Sequence, residues 1–456
     1  MLLTSRRSAV PSIDWVGIEG MAKRIYYDGL NLALPRGTGI MTYARVLIRL
    51  ARELGNEVGI IYNYPRLPPS DSVLREVSFF DALRPTKSKP TSDPVTTIVD
   101  QVRALRPIRP TRVDVTNSVL RRAYEPGPEV GDRLFVTRNL FKSAVRHFRW
   151  TGRFTLLDFD ERPDLFHCTC PTPLSVTGAL NIYTIHDLVP LKLPFASADN
   201  KRTTYAVLKK IVAEADHIVT VSESSRRDII DVLGVAENRV TNTYQAVLVS
   251  NETAQRPEDE LANELEAFFG LEYGDYLLFY GALEPKKNVG RIIEAYFRSG
   301  VVLPLVLVTS GGWGNEVERN LLAEVAANQR GKLARGKPSV RHYDYVGTPM
   351  LSVLIRGARA GVFPSLYEGF GLPVLECMML GTPVVTSREG ALPEVAGDAA
   401  LFVDPYDVSA IAAALRTIVH DTNLHAELAH RSKIQAEKFS FARYRDRVRQ
   451  LYDRII

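Results

Sequence analysis

The stretch Ser365-Leu366-Tyr367-Glu368-Gly369-Phe370-Gly371-Leu372-Pro373-Val374-Leu375-Glu376 sets two carboxylates eight positions apart, with a glycine-rich turn between them. An apolar run of strand length, 360–363, precedes it. Helical apolar spacing over 373–380 comes after it. Pro373 suits the first turn of that helix, where an N–H has no partner to lose. The stretch therefore reads as strand, turn, helix. The backbone N–H groups of Phe370, Gly371 and Leu372 are then free at the helix start, and such a terminus binds anions and sugar hydroxyls. Glu368 can accept hydrogen bonds from paired hydroxyls, and Glu376, one turn into the helix, can do so for a ribose diol.

The same alternation continues outward on both sides. Strand patterns at 276–280, 303–309, 340–346, 383–386 and 401–403 interleave with helical patterns at 290–298, 316–329, 350–357 and 408–421. The strands are apolar on both faces, which describes a parallel sheet covered by helices. The N-terminal half repeats the scheme. A strand at 25–28, a loop Gly37-Thr38-Gly39, a helix at 42–53 and a strand at 58–62 come first. Strands at 181–185 and 217–221 come later, with helices at 201–215 and 224–233.

The fold class is thus α/β, with two Rossmann-like domains whose parallel sheets face each other across a cleft. Ligands in such sheets sit beyond the carboxyl ends of the strands. The polar, acidic run 250–274 separates the halves. The expected organisation is an N-terminal domain over 21–260, with an irregular insert at about 65–173, and a C-terminal domain over 274–438. Residues 1–20 look unlike the rest of the chain and read as a tail, with translation expected to begin at Met21.

Composition narrows the class. A chain of 456 residues exceeds one compact core, and 45% hydrophobic with 24% charged residues excludes a disordered or fibrous protein. No apolar run approaches the roughly 20 residues of a membrane span. Three cysteines make no disulfide framework, so a reducing, cytoplasmic setting is expected. The net charge is +5, but residues 101–153 alone carry twelve basic and four acidic side chains. That segment wants an anionic neighbour, such as a membrane surface or a phosphate-bearing lipid.

Glu368, seven intervening residues and Glu376 resemble the acidic motif of retaining GT-B glycosyltransferases of the family 4 type. The resemblance runs on through Gly381-Thr382-Pro383-Val384-Val385-Thr386 and Leu392-Pro393-Glu394-Val395-Ala396-Gly397-Asp398. It implies a C-terminal domain that binds a nucleotide-sugar donor, with Glu368 on the sugar and Glu376 on the ribose. In Gly281-Ala282-Leu283-Glu284-Pro285-Lys286-Lys287-Asn288, it implies that Lys287 grips the donor diphosphate and that Lys286 faces solvent. Many relatives carry an arginine just after the glycine. Here Ala282 stands there, which leaves the second basic contact unassigned. Thr184-Ile185-His186-Asp187-Leu188 resembles the family's His-Asp pair, so His186 is expected beside the donor sugar. Gly39 is expected to approach the diphosphate or the acceptor. Phe370, Gly371 and Leu372 complete the expected donor site.

The resemblance further implies retention without an enzymic nucleophile, no cofactor and no metal. Asp158-Phe159-Asp160 matches a metal pattern only superficially, because the domain plan is wrong for it. The expected partners are a nucleotide sugar, GDP-mannose as first choice, and a glycan or diphospholipid-linked acceptor for cell-surface polysaccharide synthesis. A peripheral hold on an anionic membrane is expected from the basic segment, and no nucleic acid partner is. The final helix, 441–456, is expected to cross back onto the N-terminal domain. Two other classes compete. A nicotinamide dehydrogenase would need G-x-G-x-x-G after the first strand, which is absent. A catalytically inactive scaffold, binding membrane or nucleic acid through the basic insert, leaves Glu368, Glu376, Lys287 and His186 without purpose.

Overall fold

The computed structural model describes residues 22–32, 39–82, 94–116, 131–247, 251–311, 316–329 and 338–456. The expected tail and start at Met21, together with Gly37 and Thr38, lie outside these residues.

Two large sheets organise the chain. The first runs, edge to edge, through Val240–Asn242, His217–Thr220, Leu180–Thr184, Leu165–Cys168, Arg24–Asp28, Glu57–Tyr64, Arg133–Arg138 and Thr111–Val113. Every pairing is parallel except that of the last two strands. The second runs Val340–Tyr343, Leu305–Ser310, Leu277–Ala282, Ala360–Phe363, Val384–Ser387 and Ala400–Val403, all parallel. By sequence this is the order 3-2-1-4-5-6 of a dinucleotide-type sheet. Its central strands, such as Leu277–Ala282, are buried on both faces, which is why they read as unbroken apolar runs.

Strand order decides where a site can form. Connections leave in opposite directions from two adjacent strands, and a crevice opens beyond their carboxyl ends. In the second sheet those strands are Leu277–Ala282 and Ala360–Phe363. In the first they are Arg24–Asp28 and Leu165–Cys168. The acidic, lysine and glycine motifs singled out in the sequence come after three of these strands, and the His-Asp pair comes after the neighbouring strand Leu180–Thr184.

The structure corrects two expectations. Residues 65–173 are not an insert. They supply Arg133–Arg138, which pairs with Glu57–Tyr64, and Leu165–Cys168, which pairs with Arg24–Asp28. Arg133–Arg138 is bounded by arginines in an arginine-rich stretch, which hides its strand pattern. The run 250–274 is not an open linker either. It forms helices Asn251–Gln255 and Glu258–Phe269, which pack on helix Thr348–Gly357 of the second sheet's layer. Leu261 and Leu265 bury there. The boundary placed at 260 therefore falls within a helix that belongs with the C-terminal unit.

The last helix, Phe441–Ile455, returns to the first sheet. Tyr452 Oη lies 2.9 Å from Tyr27 Oη and 2.8 Å from His167 Nδ1. His167 Nε2 meets Thr184 Oγ1 at 2.8 Å, and Tyr43 Oη meets the same oxygen at 2.9 Å. Burial pushes His167 down to about 3, so the ring is neutral and serves this network.

Candidate active site

The second sheet's crevice is built from two segments. The turn Pro285–Lys287 comes after strand Leu277–Ala282. Asn288 ends it in the left-handed region, at φ 63°. Its side-chain amide donates to Pro364 O at 2.9 Å and Pro405 O at 2.7 Å. Leu366 N–H donates to Lys286 O at 2.7 Å. The lysine turn is thereby tied to the loop that carries Glu368.

Glu368 is buried, and its Oε1 accepts from Lys287 Nζ at 2.6 Å. Lys286 Nζ lies 3.8 Å from Oε2. Burial alone would raise the Glu368 carboxyl, but Lys287 and Lys286 outweigh it and hold it below the usual range. The structure thus overturns the solvent-facing assignment of Lys286, whose side chain is only 16% exposed. The tie to Leu366 turns it inward.

Gly371 has φ 104°, and a Cβ there would stand 2.8 Å from Leu392 Cδ2, so only glycine fits. Helix Leu372–Met379 begins immediately after. The N–H groups of Phe370, Gly371 and Leu372 lie at its start, and no acceptor among the described residues takes them. Phe370 itself is buried against Phe439, with ring centroids 5.6 Å apart, so its backbone rather than its ring meets the crevice. Glu376, on the first turns of the helix, takes a 2.7 Å hydrogen bond from Tyr280 Oη. Burial pushes its carboxyl up to about 7, against the opposing pull of Tyr280 and Lys287.

The first sheet contributes from the facing side. His186 comes just after strand Leu180–Thr184, and its Nε2 lies 2.8 Å from Thr169 O. A carbonyl only accepts, so Nε2 carries the proton and Nδ1 is left as an acceptor. Burial holds the ring below its ordinary value, despite the Thr169 contact and Asp187. Its edge meets Tyr43, with centroids 4.8 Å apart. A Cβ on Gly369 would stand 2.8 Å from Asp187 Oδ2 and 2.9 Å from His186 O. The His-Asp strand end therefore presses directly on the Glu368 loop. Gly39 opens helix Gly39–Glu53, and its Cβ position lies 3.1 Å from Leu372 Cδ1.

All eight expected site residues, Gly39, His186, Lys287, Glu368, Phe370, Gly371, Leu372 and Glu376, thus meet where the two sheets face each other. Asp158, of the metal-like run, instead pairs loosely with Arg109 at 3.8 Å. Sequence reasoning missed Lys286 and Tyr280. The doubled lysine before Asn288 was a signal for the first. For Tyr280 there was none, since a tyrosine in a buried strand reads as core.

Two facing Rossmann-like sheets, with a basic turn and an acidic loop at the second sheet's switch point, define the GT-B architecture. Residues 270–438 match the family described as glycosyl transferases group 1, and residues 37–247 match glycosyltransferase family 4. The chain belongs to the GT-B glycosyltransferases of the family 4 type. The O-antigen chain mannosyltransferase B of Escherichia coli is 33% identical over 265 residues, covering 57% of this chain and 66% of that protein. The serotype-specific mannosyltransferase WbdA of Escherichia coli is 30% identical over 268 residues, 56% of this chain but 31% of its own length. The chain thus spans under two thirds of these relatives. Among solved structures, sucrose-phosphate synthase from Thermosynechococcus elongatus superposes with a TM-score of 0.63 at 17% identity, covering 95% of this chain and 99% of that one. HepE of Anabaena, in complex with UDP and glucose, gives 0.62 at 14% identity, over 94% and 99%. These two likenesses are of fold.

Proposed function

We propose that the chain moves a hexose, mannose in the first instance, from a nucleotide-diphosphate sugar to a glycan or lipid-linked acceptor in polysaccharide synthesis. One observation carries this reading. Lys287, Glu368, Glu376 and the free N–H groups of Phe370 to Leu372 converge on one crevice, with His186 facing them. The leaving diphosphate gains negative charge as the glycosidic bond breaks. Lys287 and the helix start meet that charge, so catalysis is chiefly electrostatic. The reading assigns no metal. Glu368 and His186 Nδ1 orient the sugar by accepting from its hydroxyls. Retention takes a front-face course, in which the departing phosphate oxygen takes the acceptor's proton. The E. coli mannosyltransferases support mannose as the sugar, and GDP-mannose is the donor proposed to carry it.

The acceptor side falls to the first sheet. A hollow of about 380 Å³ lies beyond strands Arg24–Asp28 and Arg133–Arg138. Leu30, Phe141 and Val145 give it apolar walls, and Lys142, Arg146 and Arg149 give it three cations and no carboxylate. This suits an amphipathic, phosphate-bearing acceptor. Nearby, Ile98, Val102 and Leu105 stand exposed at helical spacing beside Arg103 and Arg106, and Trp150 is 71% exposed. These features support a peripheral hold on an anionic membrane at its cytoplasmic face. No described helix is long and apolar enough to cross a membrane. Flotation with vesicles of neutral or anionic lipid tests this. Flotation that ignores lipid charge overturns it.

Thermal-shift titration with GDP, UDP, ADP and their sugar conjugates tests the main reading. Ligands that bind only the folded state raise Tm by mass action. A rise with one nucleotide family, lost in Lys287→Ala and Glu376→Ala, is expected. No rise with any of them favours an inactive scaffold.

A further inference from the structure

The proposed reaction asks Lys287 to hold a diphosphate, yet Lys287 is already taken. Its ammonium lies 2.6 Å from Glu368 Oε1, with the two side chains only 14% and 9% exposed. A carboxylate so placed has lost its water and needs a cation. If the diphosphate simply removed Lys287, Glu368 would be left bare, or would take a proton and stop accepting from sugar hydroxyls.

A second cation waits on the other oxygen. Lys286 Nζ is 3.8 Å from Glu368 Oε2, closer than solvent-separated but looser than a direct pair. Its backbone is fixed against the Glu368 loop by the Leu366 N–H, and the turn is closed by Lys287 N–H on Glu284 O at 2.9 Å. Glu368, Asp187 and Glu284 keep the ammonium charged against the cost of its burial. Gly390 lies behind Glu368 so tightly that a Cβ there would stand 2.3 Å from the Glu368 carbonyl oxygen, so the loop's backbone has no room to retreat.

We propose that Lys286 is a positioning residue that takes over Glu368 when the donor diphosphate engages Lys287. No bond or proton changes hands. The Lys287 ammonium passes from Glu368 Oε1 to phosphate oxygen, Lys286 closes on Oε2, and Oε1 is freed for a sugar hydroxyl. The inference rests on the donor reading proposed for this crevice. The groups facing Glu368 are Lys286 and Lys287 from their turn and Ser365 on its own loop. Asp187 and His186 face it from the other sheet across Gly369, and Glu376 lies beyond Lys287. Only the lysines favour its ionised form by charge, so losing Lys286 matters most once Lys287 is occupied.

The test uses the full chain, with Lys286→Met, Lys286→Arg and Glu368→Gln. Two quantities are read: affinity for the bare nucleoside diphosphate, and kcat at saturating sugar nucleotide from pH 5 to 9. Lys286→Met is expected to bind the nucleoside diphosphate within about two-fold of wild type. Its acidic limb of kcat should move up by about one pH unit, so the deficit against wild type grows toward about ten-fold on the acid side of that limb and vanishes well above it. Lys286→Arg should restore the limb. In the Glu368→Gln background, Lys286→Met should cost nothing further. If Lys286→Met does not fold, Lys286→Gln makes the same comparison. An unmoved acidic limb, or an equal loss in the Glu368→Gln background, overturns the inference and leaves the donor reading standing. Wild-type protein that binds no nucleoside diphosphate, or a fully active Glu368→Gln, overturns both.

Discussion

Replacing Tyr280 with phenylalanine removes one hydroxyl and leaves the strand's apolar packing in place. That hydroxyl donates to Glu376 Oε2 at 2.7 Å and also lies 3.0 Å from Pro373 O. The helix can satisfy Pro373 O by itself, so the carboxylate is the partner that suffers. A hydrogen bond to a charged group contributes about 1.5–3 kcal/mol. Glu376 is half-buried, so the lower end applies, and that raises its pKa by about one unit. The starting value is about 7, so the variant titrates near 8. At pH 7.5 the ionised fraction then drops from roughly three quarters to roughly one quarter. A ribose diol donates its hydrogen bonds and so needs the ionised form. Nucleotide affinity in the wild type should therefore rise with pH through neutrality. Tyr280→Phe should bind about three-fold more weakly at pH 7.5 and nearly as well as wild type at pH 9. Calorimetric titration of the matching nucleoside diphosphate across pH 6 to 9 measures both curves. A defect of constant size at every pH, or wild-type affinity that falls as pH rises, would rule out ionised Glu376 as the ribose acceptor.

Lys287→Ala should lower kcat by about 10²–10³-fold, the usual loss of one group aimed at developing charge. Its Tm should change little by comparison, because Lys286 still faces Glu368. A large drop in Tm without loss of turnover would contradict this. Gly390→Ala should destabilise the fold by roughly 1–3 kcal/mol from its left-handed backbone alone, and further from its contact with the Glu368 carbonyl, seen as a lower Tm. Tyr452→Phe should leave Tyr27 and His167 each short of a buried partner, costing about 1–3 kcal/mol in chemical denaturation. Nucleotide affinity should be unchanged, because the crevice of the second sheet is untouched.

The features legible in the chain were those decided locally. Glu368, Gly371, Pro373 and Glu376 lie on one strand-turn-helix unit, so their spacing already placed them at a helix start. The alternating pattern of the C-terminal half carried its own sheet for the same reason, since buried parallel strands must be apolar on both faces. Elsewhere the local signal was too weak. Arg133–Arg138 does not stand out among the charges around it, and it becomes a strand because Glu57–Tyr64 offers it an open edge. The acidic run before the second domain reads as solvated, yet Leu261 and Leu265 bury against Thr348–Gly357 once that helix exists.

The two α/β units, the acidic and basic motifs, and the order in which they come are all fixed by local pattern along the chain. What each charge faces follows from the packing of the two sheets. Lys286 and Lys287 are neighbours in the chain with the same side chain, and propensity cannot tell them apart. Strand order brings Glu368 to both of them across 81 positions from Lys287, and burial then makes each ammonium's partner matter. Tyr280 and Glu376, 96 positions apart, meet for the same reason. Local spacing sets secondary structure, whereas electrostatics depends on distance in space, and that is known only once the sheets have formed.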